Sequence, residues 1–133
     1  MSQDTIANFL SALRNAYAAG KNETQMPFSG FNLNLAQILV KERYLTKVEK
    51  VAAGKNIFKL VITLNNPRDK KRRPITNIKR ISKSGVRHYV SVEELAGHNR
   101  RLGTVVISTP KGLMTTKEAK KNNLGGELIC RVW

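Results

Sequence analysis

The chain has little of what builds a catalytic or covalently stapled protein. Its one cysteine, Cys130, excludes a disulfide framework and any multi-cysteine zinc site. Its two histidines, His88 and His98, lie ten residues apart with no carboxylate spacing that suggests a metal. No glycine loop of the phosphate-cradling type occurs. Apolar runs are short, well below the ~20 residues needed to span a bilayer. The first helix-like segment opens almost at Met1 with Asp4 and no basic leader, so no signal peptide is expected. Aromatic residues are only 6% of the chain, and no paired aromatic strand signature of base-stacking modules is present. Most of the eight aromatics are assigned to cores. Acidic residues are few, nine against 24 basic ones, for a net charge of +15.

What is present is a basic chain able to fold. Its 133 residues allow one compact domain or two small lobes, and 41% hydrophobic content excludes a disordered basic tail. The charge is unevenly spread. Residues 1–66 carry eight basic and four acidic side chains, and residues 67–133 carry sixteen and five. Arg68, Lys70, Lys71, Arg72, Arg73, Lys79, Arg80, Lys83 and Arg87 cluster against Asp69 alone. Such a stripe favours phosphates, because each one neutralised releases counterions. The plainer reading is a solvated, solubilising face. No long amphipathic basic helix accompanies the charge, so a membrane partner is not expected.

Hydrophobic periodicity divides the chain into an N-terminal α/β lobe over 1–66, a basic linker over 67–77 and a strand-rich lobe over 78–133. The expected class is α+β, with helices packed on short antiparallel sheets. Ile6, Phe9, Leu10, Leu13 and Tyr17 predict a first helix, capped by Asp4 or Thr5 and ended by Gly20. Arg14 and Asn15 lie off its apolar stripe. A short strand is read over 23–27, and Ser29-Gly30 reads as a turn. A second helix over 35–41 has Asn34 and Gln37 at capping-box spacing. Strands over 45–52 and 56–64 form a hairpin turning at Gly54.

In the second lobe, strands over 78–81 and 86–90 flank Ser84-Gly85. Ser91 and Glu94 suggest a capped turn, and Thr115 and Glu118 a capped helix reaching Lys121. A strand over 105–108 turns at 110–112. The last strand, 127–133, is read with Leu128, Cys130 and Val132 on one face. Glu93, Glu94 and Glu118 are explained by capping more simply than by metal-assisted phosphodiester cleavage. The polar run Ser108-Thr109-Pro110-Lys111-Gly112 has two readings. It is an ordinary Ser/Thr turn, or a set of short hydroxyl and amide groups suited to the backbone and minor groove of a folded RNA helix.

Four ordered blocks resemble one family: "DTIANFLSALRNAY", "ISKSGVRHYVS" from Ile81, "LGTVVISTPKGLMTTKEAKK" from Leu102 and "GGELICRVW" from Gly125. Together they are similar to protein eight of the small ribosomal subunit, in its bacterial and organellar form. The resemblance implies a non-catalytic protein of two α/β lobes that binds a helix in the central domain of small-subunit rRNA during assembly. It places Ser108, Thr109 and Gly112 at the minor groove of the RNA, with Tyr89, Ser91 and Glu127 nearby; Lys83 and Arg87 of the basic cluster and Lys111 of the polar turn are added as RNA-binding candidates from the sequence itself. From the first lobe it adds Arg14, Asn15 and Ser29. Implied partners are that rRNA and neighbouring small-subunit proteins, with no cofactor and no small-molecule substrate. The implied location is the bacterial cytoplasm, or the matrix or stroma of an organelle. The alternatives are an RNA-processing or RNA-modifying enzyme and a repressor of its own messenger. The family often has a third hydroxyl where Pro110 stands, and a lysine-bearing loop after the position of Pro27.

Overall fold

The computed structural model describes residues 3–65, 75–83, 85–99 and 103–133. They form two compact units, Met1–Ile75 and Thr76–Trp133. Each packs helices on antiparallel strands, so the fold is α+β. Residues 66–74, with the cations Arg68 to Arg73, lie outside the described residues.

The first unit holds α1 (Gln3–Ala18), β1 (Glu23–Pro27), α2 (Gly30–Lys41), β2 (Leu45–Gly54) and β3 (Ile57–Leu64). Ile6, Phe9, Leu10 and Leu13 of α1 are buried, as helical spacing requires. The helix already includes Gln3, which moves Asp4 and Thr5 from the cap into its first turn. It ends where Gly20 takes a φ of 67°, and the Lys21 amide donates to the Ala16 carbonyl at 3.0 Å. A second correction concerns α2, which begins five residues earlier than the 35–41 reading. Ser29 is its N-cap, not a turn residue, and its Oγ accepts from the Asn32 amide at 3.0 Å. Asn34 therefore lies inside the helix. The sheet order is β1-β3-β2, all antiparallel. Leu60, Ile62 and Leu64 alternate inward from β3, and Leu35, Ala36, Ile38 and Leu39 are buried on α2. The hairpin turns at Lys55 and Asn56, whose φ is 57°, while Gly54 remains in β2 beside a bulge.

The second unit holds β4 (Ile78–Arg80), β5 (Tyr89–Val90), α3 (Leu95–Asn99), β6 (Thr104–Thr109), β7 (Gly112–Thr115), α4 (Thr116–Lys121) and β8 (Gly126–Val132). β8 is the hub. It pairs with β6 on one side, and with β4 and β5, end to end, on the other. The strands expected around Ser84-Gly85 thus pair mainly with the chain's end. Among the described residues they are joined to each other by a small bridge, Lys83 to Val86, and by the His88 amide on the Ser82 hydroxyl. The chain approaching β4 is also tied there, since the Thr76 and Asn77 amides both donate to the Trp133 carbonyl, at 2.6 and 2.9 Å. Thr115 caps α4 as expected, accepting from the Glu118 amide at 3.2 Å. Leu95, Val105, Ile107, Ala119 and Leu128 form a core cluster.

The final strand corrects the alternation read from sequence. Val106 faces Cys130, yet the adjacent Ile107 faces Leu128, because Ile129 is an extra residue in the ladder. Neighbouring residues on β6 point to opposite faces, so Leu128 and Cys130 do too. A period-two pattern does not survive a bulge.

Candidate nucleic-acid interface

Residues directly opposite in adjacent strands share a face of the sheet. Tyr89 of β5 faces Glu127 of β8, Glu127 faces Ser108 of β6, and Ser108 faces Leu113 of β7. One row therefore crosses four strands and carries three of the site residues expected from sequence. Tyr89 is 67% exposed, Ser108 is half-buried and Glu127 is buried. The strands are pressed together here. A Cβ on Gly126 would collide with the Ser108 carbonyl, and one on Gly125 would lie 2.5 Å from the Val90 carbonyl. This close approach requires glycine.

Glu127 is paired with Arg87, whose Nη1 donates to its Oε2 at 3.1 Å. The pairing sets a cation against the carboxylate of the row and offsets its charge. Arg87 lies in a loop anchored by Ser82, which is fully buried. The Ser82 Oγ accepts from the His88 amide at 3.0 Å, and its carbonyl accepts from Arg80 Nε at 2.9 Å. In the same loop Lys83 is exposed, and its amide donates to Val86 at 2.9 Å. Ser91 is exposed and donates through Oγ to Glu94 at 3.0 Å.

At the other end of the row, β6 turns into β7 through Pro110 and Lys111. Thr109 is buried, its Oγ1 donating to the Gly112 carbonyl at 2.9 Å and accepting from the Lys111 amide at 3.2 Å. Its hydroxyl thus braces the turn that presents Lys111 and Gly112, both exposed. Gly112 has a φ of 115°, which a side chain rarely tolerates.

In the first unit Arg14 and Asn15 are exposed on α1. Ser29 is half-buried, and its acceptor is engaged in the cap. It lines a hollow of about 380 Å³ with Asn8, Phe9 and Phe28.

Sequence reasoning missed two features. The first is a cleft of about 640 Å³ whose walls include Lys79, Arg80, Lys83, Arg131, Ile81 and Leu128. Lys79 and Arg131 lie opposite each other and share the face of Val105, the reverse of the Tyr89–Glu127–Ser108 face. The bulge at Ile129 hid this placement. The second is aromatic exposure. Only Phe9 and Tyr44 of the eight aromatics are fully buried, while Tyr89 and Phe58 are exposed. Lys50 Nζ sits 4.1 Å from the Phe28 ring centroid and 4.4 Å from that of Phe58. Spacing alone would place Phe58 inward with Leu60, and the end of the sheet leaves it uncovered.

Cys130 is a core thiol. Burial pushes its pKa up to about 12, so it is not a nucleophile at neutral pH. Burial also raises the Tyr17 phenol, which donates to the Tyr44 carbonyl at 3.0 Å. Hydrogen bonds from its own backbone and from Ser91 hold the Glu93 carboxyl below its usual range. Among the described residues no group of three His, Cys, Asp or Glu side chains is placed to hold a metal. No helix among them is long and apolar enough to cross a membrane.

A family model described as ribosomal protein S8 matches residues 4–133. Small ribosomal subunit protein uS8 of Methylacidiphilum infernorum is 42% identical over 133 residues, covering 100% of both chains. The uS8 of Caldanaerobacter subterraneus is 44% identical over 130 residues, 98% of this chain and 97% of that one. The uS8c of Morus indica is 34% identical over 137 residues, again covering 100% of both. The chain belongs to the ribosomal protein S8 family, a family of structural rather than catalytic proteins.

Proposed function

We propose that the chain is a primary rRNA-binding protein of the small ribosomal subunit. It binds a helix in the central domain of the small-subunit rRNA and supports assembly and translation, beside neighbouring small-subunit proteins. It works in the bacterial cytoplasm or in the matrix or stroma of an organelle. The second unit supplies the main RNA surface. The observation that carries this reading is the row Tyr89–Glu127–Ser108, continued by the braced turn at Lys111 and Gly112. A rigid edge of short polar groups suits the wide, shallow minor groove of an RNA helix, where ribose hydroxyls and base edges are reachable. Lys83, Arg87 and Lys111 add salt-dependent attraction, and Ser91 extends the polar edge. Arg14, Asn15 and Ser29 contact RNA from the first unit, Ser29 mainly by setting the start of α2. Thr109 contributes by holding the turn.

The test is salt-titrated binding of the full chain to a folded rRNA helix carrying an irregular internal segment. Ser108→Ala is expected to weaken specific binding by about 1–3 kcal/mol, by analogy with the loss of one good base contact, and to leave the salt slope unchanged. Lys111→Gln is expected to reduce the slope by about one charge and to weaken all RNAs alike. Identical behaviour of the two variants would defeat the reading.

A further inference from the structure

The tip of the β2–β3 hairpin carries a group of side chains that the RNA surface of the second unit does not use. Phe58 is 43% exposed and Ile57 is 61% exposed. Phe28 is half-buried, and its amide donates to the Phe58 carbonyl at 3.3 Å, which holds the two aromatic residues side by side. The Lys50 ammonium sits against both rings, at 4.1 and 4.4 Å from their centroids. Lys55 stands exposed in the adjoining turn. Rings beside cations at a strand end are the elements of a sequence-tolerant platform for unpaired nucleotides: the π-faces take bases and the cations take phosphates.

We propose that Phe28, Phe58 and Lys50 form a stacking site for an unpaired nucleotide of single-stranded RNA. A base lies on the exposed face of Phe58, and Lys50 turns from the rings to the adjoining phosphate. In the free protein Lys50 covers the rings and keeps this apolar tip solvated. The site rests on the reading of the chain as an RNA-binding protein, and it extends that reading from a paired helix on the second unit to an unpaired segment on the first.

The experiment uses the full chain and two probes: a uridine decamer carrying one 5-iodouridine, and a folded rRNA helix with no unpaired ends. Binding is read by fluorescence anisotropy. Ultraviolet cross-links from the iodouridine are located by mass spectrometry. The wild type is expected to cross-link at Phe28 or Phe58. Phe58→Leu, which keeps an apolar side chain, is expected to lose roughly tenfold in affinity for the decamer and nothing for the helix. Lys50→Gln is expected to lose less, with a shallower salt dependence on the decamer alone. Thermal melting of each variant checks that the hairpin is intact. Unchanged decamer binding by Phe58→Leu, equal loss on both probes, or cross-links confined to the second unit would overturn the site. Failure of the wild type to bind the helix would instead defeat the underlying reading.

Discussion

Glycines pressed against neighbouring backbone occur in the second unit and not in the first, although Gly85, Gly97 and Gly112 of the second unit stand in open space. In the first, a Cβ on Gly30 would meet nothing within 4 Å, and one on Gly54 would meet only the Ile57 side chain, at 3.6 Å. In the second, Gly103, Gly125 and Gly126 leave no room, because backbone carbonyls of Val132, Val90 and Ser108 occupy the space. The first unit is joined through side chains, with Leu35, Leu39, Leu60 and Ile62 filling its interior. The second adds backbone contact at the strand that carries the polar row. The difference teaches where rigidity is placed. On the proposed reading, in which the row matches an RNA contour, it gains from being fixed before it binds, since ordering it on contact would weaken affinity.

The sharpest way to break this comparison is to add one methyl group to each unit. Gly126→Ala is expected to cost about 3 kcal/mol or more, because the obstacle is backbone and cannot swing aside. Gly54→Ala is expected to cost under ~1 kcal/mol, since only a flexible side chain is near. Urea unfolding followed by the fluorescence of Trp133, the chain's one tryptophan, reports on the second unit. Far-ultraviolet circular dichroism reports on both. Equal effects of the two substitutions would remove the distinction.

Alkaline pH separates the units by a second route. Burial raises the Cys130 thiol to about 12, whereas an unfolded thiol titrates near ~8.5. The folded state therefore holds its proton after the unfolded state has lost it. The stabilisation is complete below ~8.5 and is lost as pH rises toward the folded value, at about 1.4 kcal/mol per pH unit. The first unit has no cysteine; its raised phenol, Tyr17, brings the same loss only above about 10. Trp133-monitored unfolding between pH 8 and 10 should weaken in the wild type and stay flatter in Cys130→Ala.

Much of the fold is legible in the sequence wherever burial follows a fixed period. The stripe of α1, the alternation of Leu60, Ile62 and Leu64, and the Thr115–Glu118 cap can all be read that way. Legibility fails where an interaction is local to the backbone or distant along the chain. Ser29 caps α2 through a helix start with weak periodicity, so Asn34 looks like the better cap. The bulge at Ile129 reverses Leu128 against Cys130, and no composition signal marks it. Of the polar row, Ser108 stands out in the sequence itself, whereas Tyr89 and Glu127 enter only through the family resemblance, and neither route shows the three on a line. Tyr89, Glu127 and Ser108 meet only because β5 and β6 flank β8, a pairing between segments up to 38 residues apart.

The capping serines and threonines offer a smaller, symmetrical comparison. Ser29→Ala and Thr115→Ala each remove one acceptor for a helix-end amide. Each is expected to cost about 1 kcal/mol in its own unit. If Ser29→Ala also weakens RNA binding while Ser29→Asn, which retains a cap and adds no charge, restores it, the hydroxyl acts by shaping the start of α2 and not by touching RNA. Ser29→Asn that folds normally and still fails to bind would assign the contact to the hydroxyl itself.

The smallest expected effect lies at the Arg87–Glu127 pair, and it bears most directly on how the row works. The side chains are 44% and 11% exposed, so solvent screens the pair from one side only. A double-mutant cycle with Arg87→Gln and Glu127→Gln is expected to give a coupling energy below ~1 kcal/mol for folding. RNA binding should respond differently to the two substitutions. Arg87→Gln removes a cation and leaves a carboxylate beside the row, so binding should weaken with a shallower salt slope. Glu127→Gln keeps the shape and an acceptor oxygen but removes the charge that restrains Arg87. If Glu127 orients Arg87, that change lowers discrimination between RNAs without raising affinity for all of them. A uniform gain in affinity would mean that Glu127 acts only as an unfavourable charge, and that the row does not read the helix.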